Sequence, residues 1–256
     1  MPGDNREEQK MTNGGDIVNQ VAPITNVLLM AQLVDRCMNR RYGLPGMGTF
    51  YGFSGYGKTF ATTFAANRYD AVYVEVKSSW GAKFLCQKIA IECGLDTKGT
   101  IAGLVERIGE QLALSGKPLL IDEADHLVRK RMIEVVRDIH MTSHAAVILI
   151  GEERLPGKLE QWERIHGRML DWVAAQPVSE SDARHLAKLY CPDVEIDDAL
   201  FAEMLDKSVA SARRITVNLN MIYELARTKQ LDRVTLGDWA GREFPTGRAP
   251  QARRVA

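Results

Sequence analysis

The stretch Gly52-Phe53-Ser54-Gly55-Tyr56-Gly57-Lys58-Thr59 has the residue types and spacing of a loop that cradles phosphates, G-x-x-x-x-G-K-[ST]. Glycines at 52, 55 and 57 let the backbone turn tightly and aim successive N–H groups inward, with no β-carbon in the way of an anion. Lys58 then reaches the terminal phosphates as a point charge, and the Thr59 hydroxyl becomes a ligand for Mg²⁺. A helix starting at Lys58 or Thr59 and running through Phe60 would turn its positive dipole end toward the same anions.

A second chemical pole lies some 60 residues on, where the apolar run Pro118-Leu119-Leu120-Ile121 ends in Asp122-Glu123. A carboxylate at the tip of a buried strand can share the Mg²⁺ with Thr59, which is the role expected of Asp122. Glu123, one position later, is placed to polarise a water for in-line attack on a γ-phosphate. The guanine-reading tetrad Asn-Lys-x-Asp is missing, so the expected nucleotide is ATP with Mg²⁺.

Strand, loop and helix must follow in that order for the loop to work. Thr49-Phe50-Tyr51 is β-prone and precedes the loop, and Phe60–Asn67 reads as the helix after it. Further strands are expected at Ala71–Val76, Pro118–Asp122 and Ala145–Ile150, with helices over Ile24–Arg41, Ala82–Cys93, Thr100–Ser115 and residues 127–141. Continuous apolar strands separated by helices are the pattern of a parallel sheet covered on both faces. Its ligands would bind along the rim formed by the strands' carboxyl ends. Beyond Ala175 the pattern becomes helical, with Ser179-x-x-Asp182 as a capping box, Asp197 as a cap and a long helix over Ser211–Lys229. The expected organisation is a flexible polar tail at 1–20, an α/β nucleotide-binding domain at 21–175, a small helical domain at 176–240 and a flexible basic tail at 241–256.

With 256 residues, 45% hydrophobic and 26% charged, the composition is that of an ordinary globule. The formal net charge is zero, which excludes recruitment of a polyanion by a global field and leaves that task to local patches. Cys37, Cys86, Cys93 and Cys191 show no metal spacing and are expected as reduced, mostly buried thiols. His140 and His144 lie one helical turn apart without an accompanying Glu or Cys and read as structural. With no long apolar run and no signal-peptide core, the expectation is a cytoplasmic protein without a membrane partner. Arg129-Lys130-Arg131 is a basic cluster able to contact a phosphate backbone without reading sequence.

Gly52–Thr59 together with Leu119-Leu120-Ile121-Asp122-Glu123-Ala124-Asp125 resembles the Walker A and Walker B pair of AAA+ ATPases, and the helical C-terminal third is similar to their lid. The runs Asp122–Leu127, Glu134–His140 and Ile148–Gly151 more narrowly resemble the transposition helper ATPases, namely the B protein of Mu-type transposing phages and the regulator ATPases of Tn7-like elements. The resemblance spans roughly residues 24–240, and secretion-associated and replication-initiator ATPases share much of it.

The resemblance implies that Arg213 is the lid arginine reaching the γ-phosphate, and that Arg168, in preference to Arg164, is an arginine finger acting on a neighbouring subunit's site. It places a DNA-facing loop at Lys77, Ser78, Ser79, Trp80 and Lys83. The implied partners are duplex DNA, further copies of the chain in a ring or filament, and a cognate transposase in a bacterial host cell. The implied function is ATP-dependent, largely sequence-nonspecific DNA binding that selects target DNA and activates the transposase. The alternatives are a helicase loader or replication initiator and, in another class, a secretion or signalling ATPase that ignores DNA. The family's small polar residue at the end of the fourth strand is replaced by Gly151-Glu152-Glu153, with Glu152 as its candidate substitute, so hydrolysis is expected to be slow.

Overall fold

A computed structural model describes residues 24–246, which fall into two compact units, one of Thr25–Pro177 and one beginning at Val178. In chain order, the first unit contains α1 (Thr25–Met38), β1 (Met47–Tyr51), α2 (Lys58–Arg68), β2 (Val72–Glu75), α3 (Ala82–Glu92) and α4 (Ile101–Ser115). There follow β3 (Leu119–Asp122), α5 (Asp125–Arg129), α6 (Ile133–Ser143), β4 (Val147–Gly151), α7 (Leu155–Glu160), α8 (Glu163–His166) and β5 (Met169–Ala174). The five strands form one sheet in the order β2-β3-β4-β1-β5, and every pairing is parallel.

Continuous apolar strands follow from this arrangement because both faces of the sheet are covered. Leu119, Ile121, Val147 and Leu149 join a core cluster with residues of α3, α4 and α6. The alternate residues Leu120, Ile148 and Ile150 are equally buried, and α1 and α2 pack together, α1 on β1 and β5 and α2 on β3. Each such Leu or Ile contributes about 1.5–3 kcal/mol through burial. Helix α1 buries Val27, Met30, Leu33, Val34 and Cys37, while Leu28, on the flank of that stripe, is 49% exposed.

Two differences from the expected elements have local causes. The helix expected over residues 127–141 is two helices, broken where Arg131 takes a left-handed φ of 56°. Strand β5 was not expected from the sequence. It is an edge strand whose six residues are all only partly buried, and Asp171 interrupts the apolar residues of Met169–Ala174, so neither an unbroken apolar run nor a clean alternation marks it.

The second unit contains α9 (Glu180–Tyr190), β6 (Glu195–Ile196), α10 (Asp198–Ser208), α11 (Ala212–Lys229), β7 (Arg233–Val234) and α12 (Leu236–Trp239). The Ser179–Asp182 capping box forms, Asp197 caps α10 by accepting from the Ala199 N–H at 3.2 Å, and a second box joins Thr235 to Asp238. Strands β6 and β7 add a short parallel pair that the helical pattern hid. The tail expected at 1–20 lies outside the described residues, as does the basic tail beyond residue 246. The beginning of that second tail is packed rather than flexible, because Phe244 is buried and stacks on Trp239 at 4.4 Å.

Cys37, Cys86 and Cys191 are buried free thiols and Cys93 is half-buried. Burial pushes the Cys86, Cys93 and Cys191 thiols up to about 11, which keeps them protonated. The ring Nδ1 of buried His140 meets the Ala145 carbonyl at 2.9 Å, a structural role. Among the described residues no helix is long and apolar enough to cross a membrane.

Candidate nucleotide site and basic rim

With all five strands parallel, their carboxyl ends share one rim, and the chemistry gathers there. The phosphate loop leaves β1 at Gly52, whose N–H donates to the Gly151 carbonyl at the end of β4 (3.3 Å). Gly55 and Gly57 have φ of 89° and 84°, left-handed values that favour glycine, and Gly57 leads directly into α2. The two threonines of α2 turn their hydroxyls back along the helix, Thr62 to the Lys58 carbonyl and Thr63 to the Thr59 carbonyl, both at 2.9 Å. These bonds satisfy the hydroxyls without competing for the helix N–H groups.

Lys58 lies across the loop, its ammonium donating to the carbonyls of Gly52 (2.7 Å) and Phe53 (2.9 Å). Burial lowers its pKa, and the carboxylates of Asp122, Glu123, Asp125 and Glu152 act in the opposite direction. Asp122 is 3% exposed. Burial raises its pKa, while hydrogen bonds from the Glu123 N–H (2.8 Å) and the Thr59 hydroxyl favour its charged form. The pairing of Thr59 with Asp122 brings together the two residues expected to ligate one metal ion. A hydroxyl and a buried carboxylate are the hard oxygen donors that Mg²⁺ takes, and the excess of acids around Lys58 would be offset by such a cation, so the donor set fits Mg²⁺.

Glu123 is exposed, with φ 56°, a conformation sparsely populated by residues with a β-carbon. Strain of this kind clusters at functional sites. Its pKa is raised by burial and by the neighbouring Asp122 charge.

Several contributors to the site carry no sequence signal. Tyr73 on β2 hydrogen-bonds Asp122 from the neighbouring strand, and burial pushes its phenol well up. Asp125 accepts from the Glu152 N–H at 2.7 Å and from the Lys158 ammonium at 2.5 Å, and Lys158 also stands 3.7 Å from the Glu152 carboxylate. Glu152, the candidate substitute at the fourth strand's tip, is therefore held by its backbone and partly neutralised by its side-chain partner. Asn26 on α1 donates to the carbonyls of Tyr56 and Gln176 and accepts from the Gln176 N–H, all at 2.8 Å. At the start of a helix, an asparagine reads as a cap; only the fold shows its amide gripping the loop.

The two candidate DNA-contacting segments, remote in sequence, are brought together. Lys130 donates to the Trp80 carbonyl at 2.8 Å, joining the loop of Lys77, Ser78, Ser79 and Trp80 to the cluster Arg129–Arg131. Lys77, Ser78, Ser79, Lys83, Arg129, Lys130 and Arg131 are exposed. Trp80 is not a free stacking face: it packs against the core and meets Phe84 edge-on at 5.2 Å. Lys77 pairs with Glu75, so part of this charge is compensated, while the Arg129 guanidinium contacts the His126 ring at 2.9 Å.

Arg164 and Arg168 line a cleft of about 640 Å³ with Arg137, Asp138, Met141, Glu163 and Gly167. The Arg168 backbone is fixed, its carbonyl accepting from the Met47 N–H at 3.0 Å, while both arginine side chains are exposed. Arg213 lies in the first turn of α11, exposed, in the second unit. Phe53 and Phe60 are exposed at the loop, 57% and 38% respectively.

Residues 41–159 match the family model described as AAA domain. The fold is that of a parallel-sheet α/β P-loop AAA domain with a helical C-terminal part. Among solved structures, the chain is similar to the ORC1 protein of Aeropyrum pernix in complex with DNA, with a TM-score of 0.61 at 18% identity over 87% of this chain and 65% of that one. It is similar to the ORC2 protein of Aeropyrum pernix in its ADPNP-ADP complexes, at 0.62 and 13% over 84% and 65%. It is also similar to Cdc6p from Pyrobaculum aerophilum, at 0.56 and 11% over 91% and 66%. The chain thus spans about two thirds or slightly less of the length of these proteins. No curated protein matches the sequence significantly.

Proposed function

We propose that the protein is a Mg²⁺-dependent ATPase that binds duplex DNA and works as an assembly of copies. The observation that carries the reading is the convergence of Lys58, Thr59 and Asp122 at one point of the rim, with Glu123 beside them. In this reading the loop N–H groups and Lys58 bind the phosphates, Thr59 and Asp122 hold Mg²⁺, and Glu123 takes a proton from the attacking water. Bound Mg²⁺ would supply charge neutralisation at the phosphates. Arg168 or Arg164 would complete a neighbour's site, which requires at least two copies in contact, and Arg213 would complete it from the helical part.

DNA binding is supported by the joined basic segments at Lys77–Lys83 and Arg129–Arg131 and by the ORC1–DNA complex among the similar folds. Of the roles open from the sequence, the similar folds favour the replication initiator or helicase loader. The transposition-helper role rests on the resemblance of the Asp122–Leu127, Glu134–His140 and Ile148–Gly151 runs alone. The discriminating experiment is co-purification from cells together with electron microscopy on duplex DNA and a non-hydrolysable ATP analogue. Recovery of a replicative helicase supports the initiator role, and recovery of a transposase supports the other. Failure to bind DNA at low salt would favour a protein-remodelling ATPase instead.

A further inference from the structure

Asn26 is 3% exposed, and its side-chain amide is satisfied on both sides by backbone from distant parts of the first unit. Its Nδ2 donates to the Tyr56 carbonyl inside the phosphate loop and to the Gln176 carbonyl, while its Oδ1 accepts from the Gln176 N–H. Two carbonyls on one side and an N–H on the other allow only one orientation of the amide. Gln176 lies just beyond β5, two residues before the second unit begins at Val178.

The same stretch touches the loop again. The Ala175 N–H donates to the Tyr51 carbonyl at 2.7 Å, and a β-carbon on Gly52 would stand 3.0 Å from the Ala175 β-carbon. Loop and exit segment are therefore close-packed, and Asn26 is the side chain that hydrogen-bonds both.

We infer that Asn26 is a positioning residue that couples the phosphate loop to the exit of the α/β unit: when phosphates fix the loop, the Tyr56 carbonyl is fixed, the amide is held, and the backbone at Gln176 is held with it. The inference rests on the nucleotide reading above and adds to it a route out of the site. Asn suits the role because it is short and carries one donor group and one acceptor on the same planar head. Asp would set a carboxylate oxygen against two carbonyls, and Ala would take the side-chain partner from three backbone groups at once.

The test is amide hydrogen exchange, resolved at Gln176, on the full chain with and without Mg²⁺ and a non-hydrolysable ATP analogue. In the unsubstituted protein the nucleotide should slow exchange at Gln176 by roughly fivefold or more, the scale of one hydrogen bond's free energy. In Asn26→Ala, assayed at nucleotide concentrations that saturate it, that slowing should vanish. The Ala175 amide, bonded to Tyr51 without help from Asn26, should keep its own protection. A role in folding alone would lower stability but leave the nucleotide dependence at Gln176 intact, and that result overturns the inference. Unchanged exchange at Gln176 in a protein that binds the analogue also overturns it, whether or not Asn26→Ala folds. Asn26→Ser, with a single hydroxyl and less volume removed, supplies the second variant and should show a reduced slowing. If the unsubstituted protein binds no nucleotide, the functional reading fails and this inference goes with it.

Discussion

The Asp125 carboxylate lies directly over Gly151, so close that a β-carbon added there would collide with its Oδ2 and with the Leu155 side chain. The acid that grips the Glu152 N–H and Lys158 thus occupies the space that a side chain at the tip of β4 would need. The missing polar residue at that tip has a steric reason. Gly151→Ala should destabilise the protein by about 1–3 kcal/mol, the usual cost of forcing extra atoms into a packed site, measured by urea unfolding. A variant as stable as the parent would show that Asp125 can move aside.

Replacing Lys58 by Ala removes the cation that reaches the phosphates and leaves four acids facing them. Loss of one partner of a desolvated charge pair costs about 2–5 kcal/mol, so affinity for a fluorescent ATP analogue should fall roughly 30-fold or more. Assembly driven by ATP should disappear with it. Undiminished affinity would remove Lys58 from the site.

Glu123→Gln keeps the shape of the side chain and abolishes its basicity. Hydrolysis should drop by about 10²–10⁴-fold, as when a general base is removed, with nucleotide affinity retained and ATP-bound assemblies accumulating on DNA. Phosphate release and equilibrium binding, measured together, check this. Parallel loss of both would mean that Glu123 binds nucleotide rather than activating water.

The raised pKa of Asp122 has a definite sign in stability. The native state holds this proton more tightly than the unfolded chain, so the group contributes stability at low pH that is lost as pH rises from the ordinary value of 3.8 through the higher native one. Above that window the ionised, buried carboxylate opposes folding. In the absence of nucleotide and Mg²⁺, Asp122→Asn should therefore flatten the fall of the urea midpoint with pH and make the protein relatively more stable near neutrality. A parent and variant with parallel pH profiles would contradict the burial argument.

At the basic rim, Arg129→Ala and Arg131→Ala combined should weaken binding to duplexes of any sequence alike. The slope of log affinity against log salt should shrink by about 0.9 for each phosphate that an arginine no longer neutralises. Fluorescence anisotropy over a salt series reads both. An unchanged slope would show that the DNA lies elsewhere.

How much was legible in advance depended on how local the cause was. The phosphate loop, the acidic strand tip and the caps at Ser179 and Asp197 are short patterns whose chemistry lies within a few residues, and each forms as its residues dictate. Strand β5 was hidden because an edge strand makes weak demands on its sequence. The break at Arg131 was hidden because a left-handed residue other than glycine leaves no mark in composition. Tyr73, Lys158 and Asn26 reach the site only through pairings between remote segments, which one sequence does not display. The joining of Lys130 to Trp80 across 50 positions belongs to the same class.

Strand β1 has a hydrogen-bonded neighbour on each side, whereas β2, four residues long, is bonded on one side only. Local opening takes the least supported elements first. Mild denaturant should therefore fray the sheet from its β2 and β5 margins, the former freeing the segment with Lys77 and Trp80, while the strand beneath the phosphate loop holds longer. A partly unravelled molecule of this kind would let go of a polyanion before it let go of a nucleotide.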